Sequence, residues 1–169
     1  ETAIRLAPDQ ASYHSNLGIA YYDNQDYARA EACQKKAIEL NPGLLTALNN
    51  MGSILRERKE RDDAIVYYRR ALLIDPAYLE AMNNLGSVLV ELERPDEAIP
   101  LLIKVLQAQH EYADAHNNIA NAFLIKEDFD KALFGYRKAL EIRPDYPEAL
   151  LGVVRALFGR ELTDQALLA

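Results

Sequence analysis

The sequence predicts an all-α fold, a right-handed α-solenoid of stacked antiparallel helix pairs, and three regularities predict it. Proline recurs at Pro8, Pro42, Pro76 and Pro144, a step of 34 residues with His110 at the one place where proline is skipped. In the same register run Ala30, Ala64, Ala98, Ala132 and Ala166, and a second column of Ala3, Ala37, Ala71, Val105 and Ala139. A small residue, Gly18, Gly52, Gly86 or Ala120, follows an apolar one, Leu17, Met51, Leu85 or Ile119. Several columns sharing one period mean a supersecondary unit repeated in tandem, since each unit buries its apolar face only against its neighbours.

Taken in order, residues 1–10 read as the tail of a preceding repeat, the end of a helix B. Units then follow at 11–44, 45–78, 79–112 and 113–146, with 147–169 a partial fifth repeat or a capping helix. The A helices are expected near 11–24, 45–58, 79–92, 113–126 and 147–159. The B helices are expected near 27–40, 61–74, 95–108, 129–142 and from 162 on. Asp26 and Asp128 stand where an N-cap would accept the first free amides of helix B, and Pro95 suits a first-turn position. The periodic proline ends helix B because it cannot continue the hydrogen-bond ladder. Pro100 removes a donor inside the third B helix, which makes that helix a candidate soft joint, unless its place near the helix start keeps the cost small. The incomplete ends, with "LLGVVRALFG" (150–159) more apolar than any other A helix, read as part of a longer array.

The Ala-x3-aromatic element is spelled "AIVYY" (64–68) and "ALFGY" (132–136), with Tyr68 and Tyr136 in the aromatic place; Gln34 and Leu102 depart from it. This order of small residue, Ala, aromatic and Pro within 34 residues resembles the tetratricopeptide repeat family over essentially the whole chain. The resemblance is specific for fold and much less so for function.

Composition narrows the function classes. Half of the 169 residues are hydrophobic and 27% are charged, enough for a buried core. A net charge of −7 argues against a nucleic-acid partner, which needs clustered Lys and Arg. No apolar run approaches the roughly 20 residues that span a bilayer, so no membrane partner is expected. No signal peptide opens the chain, and the compartment stays open with the cytoplasm favoured. Cys33, the only cysteine, reads as a half-buried helix thiol. His14 and His116 share the core column three repeats apart and read as packed or hydrogen-bonded imidazoles. The acidic stretches "ERDD" (60–63) and "KEDFD" (126–130) fall at A-to-B turns, where capping and the helix dipole explain them. No phosphate loop, zincin motif or nucleophile elbow occurs, so no catalytic residue, metal or cofactor is expected.

The candidate site comes from the asparagines. "ALNNMGS" (47–53), "AMNNLGS" (81–87) and "AHNNIAN" (115–121) repeat an Asn pair, with "YHSNLGI" (13–19) one repeat earlier. Asn is a poor helix former, so its recurrence needs a reason. At about 100° per residue, the fourth, seventh, eighth and eleventh residues of each A helix form the core face. That face carries His14, Leu48, Met82, His116 and Leu150, then the Leu/Met/Ile column and the Gly column. Both Asn columns fall on the opposite side. In stacked pairs the A helices line the inside of the superhelix, so that side is expected to form a concave groove.

The candidate groove residues are Asn16, Asn50, Asn84 and Asn118 at the sixth place, Asn49, Asn83 and Asn117 at the fifth, and Asn121 at the ninth. A carboxamide offers one acceptor and two donors and can bond an extended peptide backbone whatever its side chains. The alternative use, bonding between neighbouring repeats, suits the fifth-place column better. Asp23, Glu57, Glu80, Glu91, Asp114 and Glu148 outnumber Arg56 and Arg155, so a neutral-to-basic segment is the expected partner. Tyr22, Val90, Leu124 and Phe158 would add apolar contacts. With "ADAHNNIANAF" and "YHSNLGIAYY", this version is similar to the superhelical repeat region of O-linked N-acetylglucosamine transferases, which implies a ladder that contacts substrate backbone. A clamp for chaperone tails needs Lys or Arg at the fifth and ninth places. Ser15, Asn49, Asn83 and Asn117 with Ile19, Ser53, Ser87 and Asn121 stand there instead.

The leading expectation is therefore a scaffold that binds an extended segment of a protein or peptide partner. The others are the substrate-selecting arm of a glycosyltransferase and a module that associates end to end through Leu150, Val153, Val154 and Leu157.

Overall fold

The computed structural model describes residues 10–167, so the expected tail of a preceding repeat, with Pro8 and Ala3, lies outside the described residues, as does the side chain of Ala166. The described residues form helices throughout: α1 (Ala11–Asp23), α2 (Tyr27–Leu40), α3 (Leu45–Glu57), α4 (Arg61–Ile74), α5 (Leu79–Glu91), α6 (Pro95–Ala108), α7 (Ala113–Ile125), α8 (Phe129–Ile142) and α9 (Pro147–Leu167). The chain divides into two compact units, one ending at Asn84 and the other beginning at Leu85, with the boundary inside α5.

In the first unit α1 packs on α2, α2 on α3, α3 on α4, and α1 also on α3. The alanine columns explain the closeness. Ala30, Ala37, Ala64 and Ala71 are fully buried, and around them lie Leu48, Met51, Ile54 and Tyr68. Gly52 supplies a close approach: a Cβ built there would lie 2.6 Å from Cε1 of Tyr68. The second unit repeats the scheme, with α6 on α7, α7 on α8, α8 on α9 and α7 on α9. Its core joins Ala120, Ala132, Leu133, Tyr136, Ala139, Tyr146, Ala149 and Ala156, with Phe123, Phe129 and Val153 against them.

Each A-to-B turn is built alike. Gln25, Lys59, Glu93 and Glu127 take φ of 59°, 68°, 55° and 57°, the left-handed region. The amide of the next residue then bonds back five residues, as Asp26 N–H to Tyr21 O at 2.9 Å and Glu60 N–H to Leu55 O at 2.9 Å. This Schellman closure satisfies carbonyls that a helix end leaves free. Asp26 and Asp128 then cap helix B, accepting from Arg29 N–H at 3.1 Å and Lys131 N–H at 3.2 Å. Pro95 occupies the first turn of α6, and α6 continues through Pro100 to Ala108.

Three expectations are corrected. A break was expected between 159 and 162, but α9 runs unbroken from Pro147 to Leu167. The segment "GRELTDQ" holds no proline, and Gly159 alone does not end a helix; Thr163 bonds back to the carbonyl of Gly159 at 3.0 Å within it. Leu150, placed on the core face by rotation, is 51% exposed, and Ala149 takes the buried place. Val153, expected on an exposed apolar end, instead packs against the core.

Candidate functional site: asparagine-lined pockets

The asparagines separate into two environments. Asn49, Asn83 and Asn117 are buried, as is Ser15 in the corresponding place of the first repeat. The fifth-place column thus sits inside the helix packing, which corrects its placement among groove residues and agrees with the use between repeats that its position favoured. A residue only 100° from the sixth place still falls under the flank of the neighbouring A helix. Asn50, Asn84 and Asn118 are half-buried and Asn16 is exposed.

Hydrogen bonds refine the division. Asn84 donates from Nδ2 to Oδ1 of Asn49 at 3.0 Å, joining two successive A helices. Asn121 accepts from the Tyr136 hydroxyl at 2.6 Å, so that amide is held from below. Tyr136 is fully buried, and burial pushes its phenol up to about 12. The Tyr68 hydroxyl lies 3.2 Å from Ser53 Oγ in the equivalent arrangement. The Nδ2 atom of Asn50, by contrast, is buried with no hydrogen-bond partner.

Asn50 lines a pocket of about 220 Å³ in the first unit, together with Ile19, Tyr22, Asp23, Gln34, Ser53 and Ile54. Tyr22 packs edge-on against Tyr27, and its phenol is raised by burial and then by the Glu57 carboxylate. In the second unit a pocket of about 350 Å³ is lined by Val90, Glu91, Glu93, Asn121, Leu124, Ile125 and Arg155. Helical rotation alone had placed Tyr22, Asp23, Val90, Glu91, Asn121, Leu124 and Arg155 on the groove side. Asp114 has a different role from the one its place suggested. Arg143 holds it with both Nη atoms, at 3.0 and 3.3 Å, and the Tyr146 hydroxyl donates to it at 2.8 Å. Its charge is paired within the chain, at the surface.

Gln34 was seen in the sequence only as a departure from the aromatic column. It is fully buried, donates from Nε2 to the Ser15 carbonyl at 3.0 Å, keeps Oε1 without a partner, and is among the residues that line the first-unit pocket. The break in the column was the signal that could have found it.

His116 Nε2 lies 2.9 Å from the His110 carbonyl. Cys33 is half-buried, with its thiol raised by burial. Among the described residues no group of three His, Cys, Asp or Glu could hold a metal, and no helix is long and apolar enough to cross a membrane.

Helix pairs of this period and geometry define a repeat scaffold. The sequence matches the family model described as tetratricopeptide repeat over residues 9–77, 43–109 and 77–145, and the chain belongs to that family. Comparison with curated proteins finds no match. Among solved structures it is similar to MamA, at 23% identity over 95% of this chain and 87% of that one, with a TM-score of 0.75. It is similar to YrrB, described as a TPR protein with an unusual peptide-binding site, at 22% identity over 95% and 82%, with a TM-score of 0.74. It also resembles pilF of Pseudomonas aeruginosa, at 22% identity over 91% and 70%, with a TM-score of 0.81.

Proposed function

We propose that this chain is a non-catalytic binding scaffold that holds an extended segment of a protein or peptide partner against its A helices, through carboxamide contacts to the partner's backbone. The observation that carries the reading is the Nδ2 of Asn50, a buried donor without a partner in a pocket. Leaving such a donor unpaired costs about 1–3 kcal/mol, which a peptide carbonyl would recover. Asn16 and Asn50 place a carboxamide on this side of the first unit, and Asn118 and Asn121 do so in the second. Asn84 has a divided role, because its Nδ2 is already given to Asn49. Asp23 and Glu91 at the pockets favour a neutral-to-basic segment.

The peptide-binding site described for YrrB supports a peptide as the kind of partner. The resemblance of the Asn column to glycosyltransferase repeats predicts the same backbone contacts, with the chain acting as a substrate-selecting arm. Leu151, Val154 and Phe158 on α9, at 60%, 62% and 63% exposed, favour a second use in association between copies. Light scattering across a concentration series tests it, and a monomer throughout would dismiss it.

The groove reading is tested by selecting random displayed peptides on the wild-type chain and on Asn16→Ala/Asn50→Ala/Asn118→Ala, with helicity and melting compared first. The reading expects peptides that the wild type captures and the equally folded variant loses. Equal capture by both would dismiss it.

A further inference from the structure

In the column where Tyr68 and Tyr136 stand, the first repeat carries Gln34. The two tyrosines fill the space against Gly52 and Gly152 and direct their hydroxyls to Ser53 and Asn121. Gln34 is smaller, and the place that pairs with a tyrosine hydroxyl elsewhere is occupied by Ile19. The pocket of about 220 Å³ lies beside it.

Two residues that line this pocket each carry a buried atom without a partner, of opposite kind. Gln34 gives its Nε2 to the Ser15 carbonyl, which turns its Oε1 the other way as an unpaired acceptor on a fully buried side chain. Asn50 offers the unpaired donor Nδ2, whose two N–H groups can serve a backbone carbonyl with one and a guest in the pocket with the other. A carboxylate guest would satisfy Asn50 but has no proton for Gln34 Oε1 and would meet the Asp23 carboxylate. An ammonium guest would satisfy Gln34 and leave Asn50 unpaired. A carboxamide carries one group for each, and Ile19 and Ile54 offer apolar walls for a methylene stem.

We infer that the first-unit pocket is a specificity pocket for a carboxamide side chain, Gln or Asn, of the bound segment. The peptide origin of that group rests on the groove reading above; the carboxamide preference rests on the pocket alone.

The test separates the two. The 15N-labelled chain is titrated with propionamide, sodium propionate and propylammonium chloride, following the side-chain amide resonances of Gln34 and Asn50. Propionamide is expected to shift both saturably while the two charged analogues do not. Gln34→Met, similar in length but without the acceptor, should lose at least tenfold in propionamide affinity while keeping its melting temperature. Gln34→Tyr, the residue the fold accepts at the equivalent places, should abolish the response by filling the pocket. Peptides selected on the wild type should carry Gln or Asn at one register position, and those selected on Gln34→Met should lose that preference while still binding. No saturable response to propionamide, or an equal response to propionate, overturns the inference whatever peptides bind, and then water alone fills the pocket. A propionamide response with no peptide captured overturns the peptide origin and the groove reading together, leaving a carboxamide ligand of another kind. Peptides captured without a Gln or Asn preference overturn the inference and leave the groove reading standing.

Discussion

Asn84 on α5 donates from Nδ2 to Oδ1 of Asn49 on α3, thirty-five residues earlier, at 3.0 Å. The bond joins the sixth place of one A helix to the fifth place of the one before, so part of the asparagine pattern fixes repeat against repeat. Asn49 is buried, and removal of Asn84 leaves its acceptor unsatisfied. Asn84→Ala should therefore cost about 1–3 kcal/mol in urea unfolding. The double variant with Asn49→Ala should cost less than the sum of the two, because the orphaned acceptor goes with it. Strict additivity would show that the pair is not coupled.

The left-handed turn residues predict a gain. Lys59 has φ of 68°, a region where a side chain costs about 1–2 kcal/mol and glycine does not. Lys59→Gly should stabilise the chain by about 0.5–1 kcal/mol after the added freedom of the unfolded state is subtracted. Lys59→Ala should not. The unfolding midpoints of the two variants measure the difference.

Here the sequence was only partly legible. The B helices α2, α4, α6 and α8 span the expected 27–40, 61–74, 95–108 and 129–142, because Asp caps, Pro95 and the periodic prolines mark them chemically. The turns were not legible, since Gln25, Lys59, Glu93 and Glu127 carry no glycine to announce a positive φ. The continuity of α9 was missed because a repeat period was extended across a segment with no stop signal. In the site, rotation at 100° per residue sent both Asn columns away from the core; only the fifth place's position nearer the Gly face pointed to its use between repeats, where Asn49, Asn83 and Asn117 are buried. Gln34 was visible only as an irregularity until its unpaired Oε1 gave the irregularity a chemical meaning.

Close approach at glycine predicts a graded series. At Gly52 a new methyl would meet the ring of Tyr68, whose edge is fixed between helices; at Gly18 it would meet the far end of the Gln34 side chain, which is flexible and yields at the expense of its bond to the Ser15 carbonyl. Gly52→Ala should cost about 1–3 kcal/mol. Gly18→Ala should cost less. Thermal unfolding of the two variants gives the order, and a reversed order would contradict the packing described.

Tyr136 predicts a pH dependence with a definite sign. Its phenol is pushed up to about 12 by burial, against 10.0 for an ordinary tyrosine. Between these values the unfolded chain loses the proton and the folded chain keeps it, so stability falls as pH rises from 10 towards 12. Tyr136→Phe should make that fall shallower, at a cost of about 1 kcal/mol at neutral pH from the lost bond to Asn121. Unfolding curves at stepped alkaline pH read both effects.

The central claim is that the amide of Asn50 reads peptide backbone, and backbone chemistry tests it most directly. A peptide selected on the wild-type chain is remade as a series in which each backbone ester replaces one amide, weakening one carbonyl acceptor at a time. Affinities are measured against the wild type and Asn50→Ala. The account predicts one position where the ester costs severalfold in wild-type affinity and nothing in Asn50→Ala, a coupling between that carbonyl and Nδ2. Equal losses in both proteins at every position would show that Asn50 does not touch the backbone, and the account of the groove would fall.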